Sequence, residues 1–175
     1  MAERAAWALA DELGLKLTTI NPGLVLGRPV GAGHGSSVAL VERILSGRDP
    51  AVPDLAFPLV DVRDIARMHV AALQRPESIG RRYIGSAGTR SFLEVAKTVK
   101  DAHPEKKIAL RVAPKWLMRL LAVTDPAIRG ILPQLGRPQD MSAARATEEL
   151  GVVFRDPEQA VRDAADYLLA ERRAA

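Results

Sequence analysis

A strand-like run that breaks at Asn-Pro-Gly constrains this chain more than any other feature of its sequence. Residues 16–20 (KLTTI) are short and rich in β-branched side chains, which is typical of a β-strand. Pro22 then removes a backbone donor, Gly23 lacks a side chain, and a second apolar stretch starts at Leu24. A strand that stops and resumes at once is uneconomical packing unless the break makes room for something. The break is therefore a candidate functional feature.

Helices and short strands alternate along the rest of the chain. Apolar periodicity and end signals predict a helix that starts at Asp61, and further helices over 2–13, 36–45, 92–102, 114–123, 142–150 and 156–170. Short β-rich runs predict strands over 82–85 and 108–112, and Gly- or Pro-rich runs predict loops over 27–35 and 50–58. This alternation predicts an α/β or α+β fold with some parallel strand pairing.

Several of these helices carry recognisable ends. Ser91, and either Ser36 or Ser37, stand where an N-cap residue belongs, and Gly47 stands where a helix closes. Asp61 can accept the free amides of its helix, and Asp64 occupies the position of the reciprocal acid in a capping box. The apolar face of that helix is predicted to consist of Ile65, Met68, Ala72 and Leu73.

The composition excludes several classes of protein. Hydrophobic residues make up 47% and charged residues 26% of the 175 residues, which is typical of a globular domain. No apolar run approaches the roughly 20 residues of a membrane span, so no membrane is expected. The net charge is +4, but the arginines are dispersed among acids and aromatics are only 4%, so no nucleic-acid partner is expected. The absence of cysteine excludes disulfides and suits a cytoplasmic protein.

No complete catalytic or metal-binding motif is present in the sequence. Gly31, Gly33 and Gly35 have the spacing G-x-G-x-G, which is not the G-x-G-x-x-G of a dinucleotide-binding turn. Tyr83 and Tyr167 are followed four residues later by Ala87 and Glu171. Neither tyrosine therefore has the lysine that lowers the pKa of a phenol acid in many carbonyl oxidoreductases. The three histidines are isolated, so we expect no catalytic residue and no metal site in this chain.

Four ordered segments nevertheless resemble one enzyme family along essentially the whole chain. They are NPGLVLG (21–27), VDVRDIARMHVAAL (60–73), RRYIGSAGTRSFLEVAK (81–97) and EELGVVF (148–154). The chain resembles the extended short-chain dehydrogenase/reductases, a superfamily that includes NAD-dependent epimerases and dehydratases. The resemblance is greatest to the dihydroflavonol reductase-like and cinnamoyl-CoA reductase-like branch.

The resemblance implies the α/β fold class, as the C-terminal part of a Rossmann-type NAD(P)-binding fold with its small substrate lobe. Residues 1–175 would then be one incomplete domain without the N-terminal Gly-rich half. About 1–112 would end the Rossmann-like sheet, with interleaved substrate-lobe segments, and about 113–175 would form a mainly helical substrate lobe. The family's Tyr-x-x-x-Lys pair would lie just before Met1, so the chain alone is expected to be inactive.

The resemblance also implies a role for the break in the strand. Pro22, Gly23, Leu24 and Val25 would line the nicotinamide of NADP or NAD, and Ser37 would help to hold the cofactor. Arg28 is a candidate for contact with an acidic or phosphorylated substrate, although solvent exposure explains it equally well.

Three functions stay open at this point. The first is hydride transfer from the nicotinamide to a small-molecule carbonyl substrate, as in the dihydroflavonol reductase-like enzymes. The second is a segment of a nucleotide-sugar epimerase or dehydratase. The third is a non-catalytic partner or scaffold that has kept the fold. The sequence does not predict an oligomeric state.

Overall fold

The computed structural model describes residues 2–30, 35–137 and 139–174. Within these ranges the strands are β1 (Thr19–Pro22), β2 (Leu24–Leu26), β3 (Ala56–Asp61), β4 (Arg82–Gly85) and β5 (Thr89–Ser91). The helices are α1 (Ala2–Leu13), α2 (Ser36–Ser46), α3 (Val62–Gln74), α4 (Phe92–Ala102), α5 (Lys115–Leu121), α6 (Pro126–Ile131), α7 (Ala144–Leu150) and α8 (Pro157–Ala174). Short 3-10 helices cover Pro76–Ser78 and Leu132–Gln134. Among the described residues, no helix combines the length and apolar character that a membrane span requires.

The strands form two small sheets, and the chain passes directly from the β1–β4 sheet to the β2–β3–β5 sheet twice. β1 and β4 pair in parallel, with Pro22 opposite Gly85 at their carboxyl ends. β2 pairs in parallel with β3, and β3 pairs antiparallel with β5. The break at Pro22 and Gly23 is therefore the point at which the chain leaves the first sheet and enters the second. β4 and β5 make the same transfer through residues 86–88.

Three hydrophobic clusters hold the elements together. In the largest, α2, α4 and α8 pack against β2 and β3 around Val41, Leu59 and Val99. The second lies between Leu55, α5 and α6. The third joins α3, β4 and α7 around Met68 and Tyr83. The helices beyond residue 113 thus contribute to all three clusters, while a division of the chain near residue 112 stays a prediction.

Most predicted elements occur in the structure, but two segments differ. The predicted strand over 108–112 was wrong, because this segment makes only an isolated bridge between Val112 and Val52. The predicted loop over 50–58 was wrong at its end, because β3 starts at Ala56 and includes Pro58. β5 pairs with residues 56–58 and β2 with residues 59–61, so Pro58 has a strand on one side only. A residue without a backbone N–H is tolerated at such a position.

The side-chain predictions for two helices also need correction. Gly35 is the N-cap of α2, rather than Ser36 or Ser37, and no side chain caps this helix. Leu73 of α3 is 88% exposed and does not belong to the buried face, which Met68 occupies. The other predicted caps, Ser91 and Asp61, are confirmed.

Gly23 is required by close packing between the two sheets. A Cβ atom on Gly23 would lie 2.3 Å from the carbonyl oxygen of Pro58, far inside van der Waals contact. The Gly23 N–H also donates to the Gly85 carbonyl at 2.9 Å, which fixes the crossing against the end of β4. The glycine thus lets the backbone of one crossing approach β3 closely.

We predict that Gly23→Ala lowers the free energy of unfolding by about 1–3 kcal/mol, because backbone atoms have to move to admit the methyl group. Gly130→Ala is the matched control, since a Cβ there meets nothing within 4 Å. Ala also favours the helix in which Gly130 lies, so this control should be neutral or slightly stabilising. Urea unfolding of both variants tests the difference, and equal stabilities would contradict the packing argument.

Candidate functional site

The carboxyl ends of β1 and β4 form the candidate site. Ligands of parallel α/β sheets bind outside the carboxyl ends of the strands, where the backbone leaves the sheet. Here both strands end side by side, at Pro22 and Gly85, and both chains then turn away towards the second sheet. The second crossing is fixed to β3 by two hydrogen bonds, from Ala87 N–H to the Leu59 carbonyl (2.7 Å) and from Leu59 N–H to the Gly88 carbonyl (2.9 Å).

Apolar surface stays accessible at this edge. Pro22 is exposed, and Gly23, Leu24 and Val25 are half-buried. α2 packs against β2, so the helix that carries Ser37 lies beside the strand that carries Leu24 and Val25. Ser37 itself is half-buried in the first turn of α2. The structure therefore brings the sequence-predicted cofactor residues onto adjacent elements, while their contact with a cofactor stays a prediction.

Arg28 is exposed, and its positive charge lowers the pKa of Tyr167 in α8. The hydrogen bond from the Tyr167 phenol to Glu171 raises the pKa of Tyr167, and the positive charge of Arg28 opposes this shift. Arg28 therefore lies near α8, and its predicted role toward a substrate stays a prediction. Part of the glycine-rich segment, residues 31–34 with Gly31, Gly33 and His34, lies outside the described residues.

Two fully buried aspartates lie near the carboxyl end of β2, where Asp61 pairs with Leu26. Asp61, the last residue of β3, accepts hydrogen bonds from the Arg63 backbone N–H (2.8 Å) and from Arg63 Nε (2.8 Å) and Nη2 (2.5 Å). Asp64 accepts from the Arg155 backbone N–H (2.7 Å), from Arg155 Nη1 (3.2 Å) and from Arg67. Asp64 does not bond back to the N-cap, so the predicted capping box was wrong.

This ion network connects elements that are distant in the chain. Arg155 precedes α8, and Arg63 also donates to Asp163 of α8 at 2.6 Å. Asp61 also lies close to Gly27, just after the end of β2: a Cβ atom added to this glycine would lie 3.7 Å from Asp61 Oδ1. The network thus fixes α3 and α8 beneath the strand that leaves the candidate site. Sequence reasoning missed it because its partners lie about ninety residues apart.

Arginine contacts keep Asp61 ionised despite its burial. Burial alone raises the pKa of this carboxyl, but the hydrogen bonds from the Arg63 side chain and backbone and the nearby charges outweigh it. The pKa of Asp61 therefore lies below its ordinary value. The pKa of the Arg63 guanidinium rises in turn, mainly through its hydrogen bond to Asp61.

Neither tyrosine is arranged as a proton donor for catalysis. Tyr83 is fully buried, and its hydroxyl donates to Glu149 Oε2 at 2.8 Å. Burial and this glutamate raise the pKa of Tyr83 to about 12, which keeps the phenol protonated. Tyr167 donates to Glu171 at 2.6 Å on the surface of α8. Both phenols face a carboxylate, whereas a phenol acid of low pKa needs a cation.

Across residues 2–30, 35–137 and 139–174, no group of three acidic or histidine side chains is placed to hold a metal ion. His69 Nδ1 lies 2.8 Å from the Ile65 carbonyl within its own helix. His103 lies between α4 and α8, with Nε2 3.0 Å from Asp166 Oδ1. These histidines have local structural contacts.

We predict that Asp64→Asn lowers the free energy of unfolding by about 1–3 kcal/mol, because it removes the charge that three donors share at a buried site. Asp49→Asn is the matched control, since Asp49 forms a surface pair with Arg43 and surface pairs contribute about 0–1 kcal/mol. Chemical denaturation of both variants gives the comparison. An equal loss in the two variants would mean that the buried network contributes no more than the surface pair.

We also predict that Asp61 makes stability depend on pH in the acid range. Because its folded-state pKa is depressed, its contribution is fully present above the unfolded value, about 4, and is lost as the pH falls through the folded value. Between pH 6 and 3 the wild type should therefore lose more stability than Asp61→Asn does. Urea unfolding across this range measures both slopes, and parallel slopes would show that Asp61 titrates normally.

Comparison with known proteins identifies relatives among carbonyl reductases. No protein-family model matches the chain. The ketoreductase azaE of Aspergillus niger is 32% identical over 180 residues, which cover 97% of this chain and 49% of that protein. Cinnamoyl-CoA reductase 1 of Arabidopsis thaliana is 36% identical over 105 residues, covering 60% of this chain and 30% of the reductase.

Solved structures show the same fold over almost the whole chain. The yeast methylglyoxal/isovaleraldehyde reductase Gre2, solved in complex with NADPH, matches 99% of this chain with a TM-score of 0.75 and 25% identity. A UDP-glucose 4-epimerase of Thermotoga maritima shares the fold at a TM-score of 0.70 and 19% identity. The chain spans about half the length of these proteins and of azaE. The α/β class is thus confirmed, and so is the resemblance to the extended short-chain dehydrogenase/reductases, within the NAD-dependent epimerase/dehydratase superfamily, over about half of the relatives' length.

Proposed function

We propose that this chain forms the substrate-side part of an NAD(P)H-dependent carbonyl reductase. The observation that carries the proposal is the accessible apolar strand end, Pro22 to Val25, at the carboxyl edge of a parallel strand pair. This is the position at which α/β folds bind their ligands. The reductases among the relatives, including one solved with NADPH, support the reaction class and the cofactor.

The residues at the strand end fit a nicotinamide ring. A flat ring packs favourably on apolar side chains, which Pro22 and Val25 provide without burying any charge. Gly23 is explained by its contact with Pro58, and Leu24 packs partly against the main hydrophobic cluster, so the proposed cofactor contact rests mainly on Pro22 and Val25. Ser37, in the helix beside β2, would supply a hydroxyl to the cofactor.

Each part of the reaction has a different source in this proposal. When bound, reduced nicotinamide supplies the hydride that adds to the carbonyl carbon. The apolar strand end orients the ring and excludes water from one of its faces. The carbonyl oxygen also needs a proton, and Tyr83 and Tyr167 are both engaged with glutamates. Neither tyrosine is thus placed to supply it, and in this proposal the proton donor is the tyrosine of the family's Tyr-x-x-x-Lys pair, which these 175 residues do not contain, so the chain alone is expected to be inactive.

Activity of a fusion protein tests the proposal. The amino-terminal half of yeast Gre2 is joined in front of this chain, and NADPH or NADH consumption is followed with a panel of small aldehydes and ketones. We expect turnover by the fusion and none by the 175-residue chain alone. Turnover by the chain alone would contradict the proposal. Epimerisation consumes no net NAD(P)H, so it is followed by chromatography of the sugar nucleotide; conversion of UDP-glucose to its 4-epimer without turnover of any aldehyde or ketone would favour the epimerase alternative.

A charge substitution in the fusion tests the proposed cofactor contact. Pro22→Asp places a carboxylate at an exposed position beside the proposed ring site, and we expect about a tenfold increase in the KM for NADPH. Leu73→Asp is the control, because Leu73 is exposed on α3, away from the strand end. If both variants kept the KM of the parent fusion, Pro22 would not contact the cofactor.

The coding sequence gives an independent test. The reading frame upstream of Met1 should contain a Tyr-x-x-x-Lys pair close to this segment and a Gly-rich turn farther upstream. An in-frame stop codon directly before Met1 would favour the scaffold alternative. In that case the 175-residue chain should unfold cooperatively and show no affinity for NADPH.

A further inference from the structure

One carboxylate oxygen of Glu3 is shared by donors from three elements of the fold. Glu3 lies in the first turn of α1. Its Oε1 accepts hydrogen bonds from Arg82 Nε at 2.8 Å, from Thr19 Oγ1 at 3.0 Å, and from Asn21 Nδ2 and Trp7 Nε1, both at 3.4 Å. Thr19 and Asn21 belong to β1 and Arg82 belongs to β4. This single side chain therefore connects α1 to both strands of the first sheet.

Hydrophobic contacts hold α1 to the sheet only weakly. Among the described residues of α1, Ala10 alone is fully buried, and Leu9 and Leu13 are 52% and 59% exposed. Within the described ranges, no residue of α1 belongs to any of the three hydrophobic clusters. The attachment of α1 to β1 therefore depends on the polar contacts of Glu3.

The charge on Glu3 sets the orientation of the groups around it. The hydrogen bond from Arg82, with those from Thr19 and Trp7, lowers the pKa of Glu3, although partial burial opposes this shift. An ionised carboxylate can only accept hydrogen bonds, so each neighbour has to present a donor to it. The amide of Asn21 must therefore turn its NH₂ group towards α1.

These contacts act on the segment of β1 that leads into the candidate site. Successive side chains of a strand point to opposite faces, so Thr19 and Asn21 lie on one face and Ile20 on the other. Ile20 packs against the third hydrophobic cluster, while Glu3 binds the opposite face. Asn21 directly precedes Pro22, so β1 is held on both faces up to the start of the proposed ring contact.

We propose that Glu3 is a positioning residue for hydride transfer. This inference rests on the proposed function, in which the Tyr-x-x-x-Lys pair precedes α1 and Pro22 contacts the nicotinamide. The proton donor then belongs to the segment that leads into α1, and β1 carries one wall of the ring site. Glu3 sets the distance between the two without touching either the ring or the substrate. Such distances matter, since a displacement of about 1 Å can reduce the rate of an enzyme about a hundredfold.

Amide NMR on the 175-residue chain tests these contacts without cofactor or turnover. Glu3→Gln removes the charge, and Glu12→Gln is the matched control, because Glu12 is exposed on the same helix and its carboxylate has no partner in the described part of the chain. We expect the indole N–H signal of Trp7 and the side-chain amide signals of Asn21 to shift in Glu3→Gln and to stay in place in Glu12→Gln. The indole signal of Trp116, which is 66% exposed on α5, is the internal reference. Unchanged Trp7 and Asn21 signals in Glu3→Gln would overturn the proposal.

A pH titration of the wild-type chain gives a second measurement that needs no variant to fold. The Trp7 indole signal should follow the ionisation of Glu3, with a midpoint below the ordinary glutamate value of about 4.3. The Trp116 signal should not follow it. A Trp7 signal that is independent of pH in this range would also count against the proposal.

Kinetics of the fusion with the amino-terminal half of Gre2 test the positioning itself. The kcat is expressed per bound NADPH, counted by fluorescence titration, so that unfolded molecules are left out. We expect Glu3→Gln to lower this kcat about tenfold or more and to leave the KM for NADPH unchanged, because the residues that contact the ring are still present. Glu12→Gln should retain both values.

The outcomes separate this inference from the proposed function. An equal kcat per bound NADPH in Glu3→Gln, Glu12→Gln and the parent fusion would overturn the positioning role. A parent fusion without any turnover would contradict the proposed function instead. The Trp7 and Asn21 signals of the 175-residue chain would then still decide whether Glu3 holds α1 to β1.

Discussion

The close approach of Gly23 to the Pro58 carbonyl determines how this fold is organised. It lets a single apolar run serve two sheets, because β1 ends against β4 and β2 begins one residue later against β3. Any side chain at this position would separate the two sheets. The hydrogen bond from Gly23 to Gly85 fixes the same crossing to the end of β4. The break in the strand is thus first a packing requirement, and the accessible edge beside it follows from that packing.

The buried carboxylates of Asp61 and Asp64 stabilise the other side of the same region. Burial of two acids is unfavourable on its own, so their position depends on the arginines that surround them. Because those arginines come from α3 and from the segment before α8, the network holds the last helix against the strands. The network therefore joins α3 and α8 to the carboxyl end of β2, the strand that leaves the candidate site.

The sequence predicted features that depend on neighbouring residues and missed those that depend on distant ones. The Ser91 cap and the short strand over 82–85 follow from local patterns, and the structure contains both. The distant partner of Asp64 is Arg155, which no local pattern connects to it. The start of β3 was missed because a proline argues against a strand. Pro58 is tolerated there because only β5 pairs with residues 56–58, whereas β2 pairs with residues 59–61. Gly23 was singled out for contact with a cofactor, which stays a prediction, whereas its packing contact with Pro58 was missed because Pro58 belongs to a distant segment.

The central claim is that the strand end at Pro22–Val25 forms one wall of a nicotinamide pocket. The most direct test is a crystal structure, with NADPH bound, of a fusion in which this chain follows the amino-terminal half of a reductase relative. We predict that the nicotinamide ring lies in van der Waals contact with Pro22 and Val25. A ring bound elsewhere, with this strand end facing solvent, would contradict the claim.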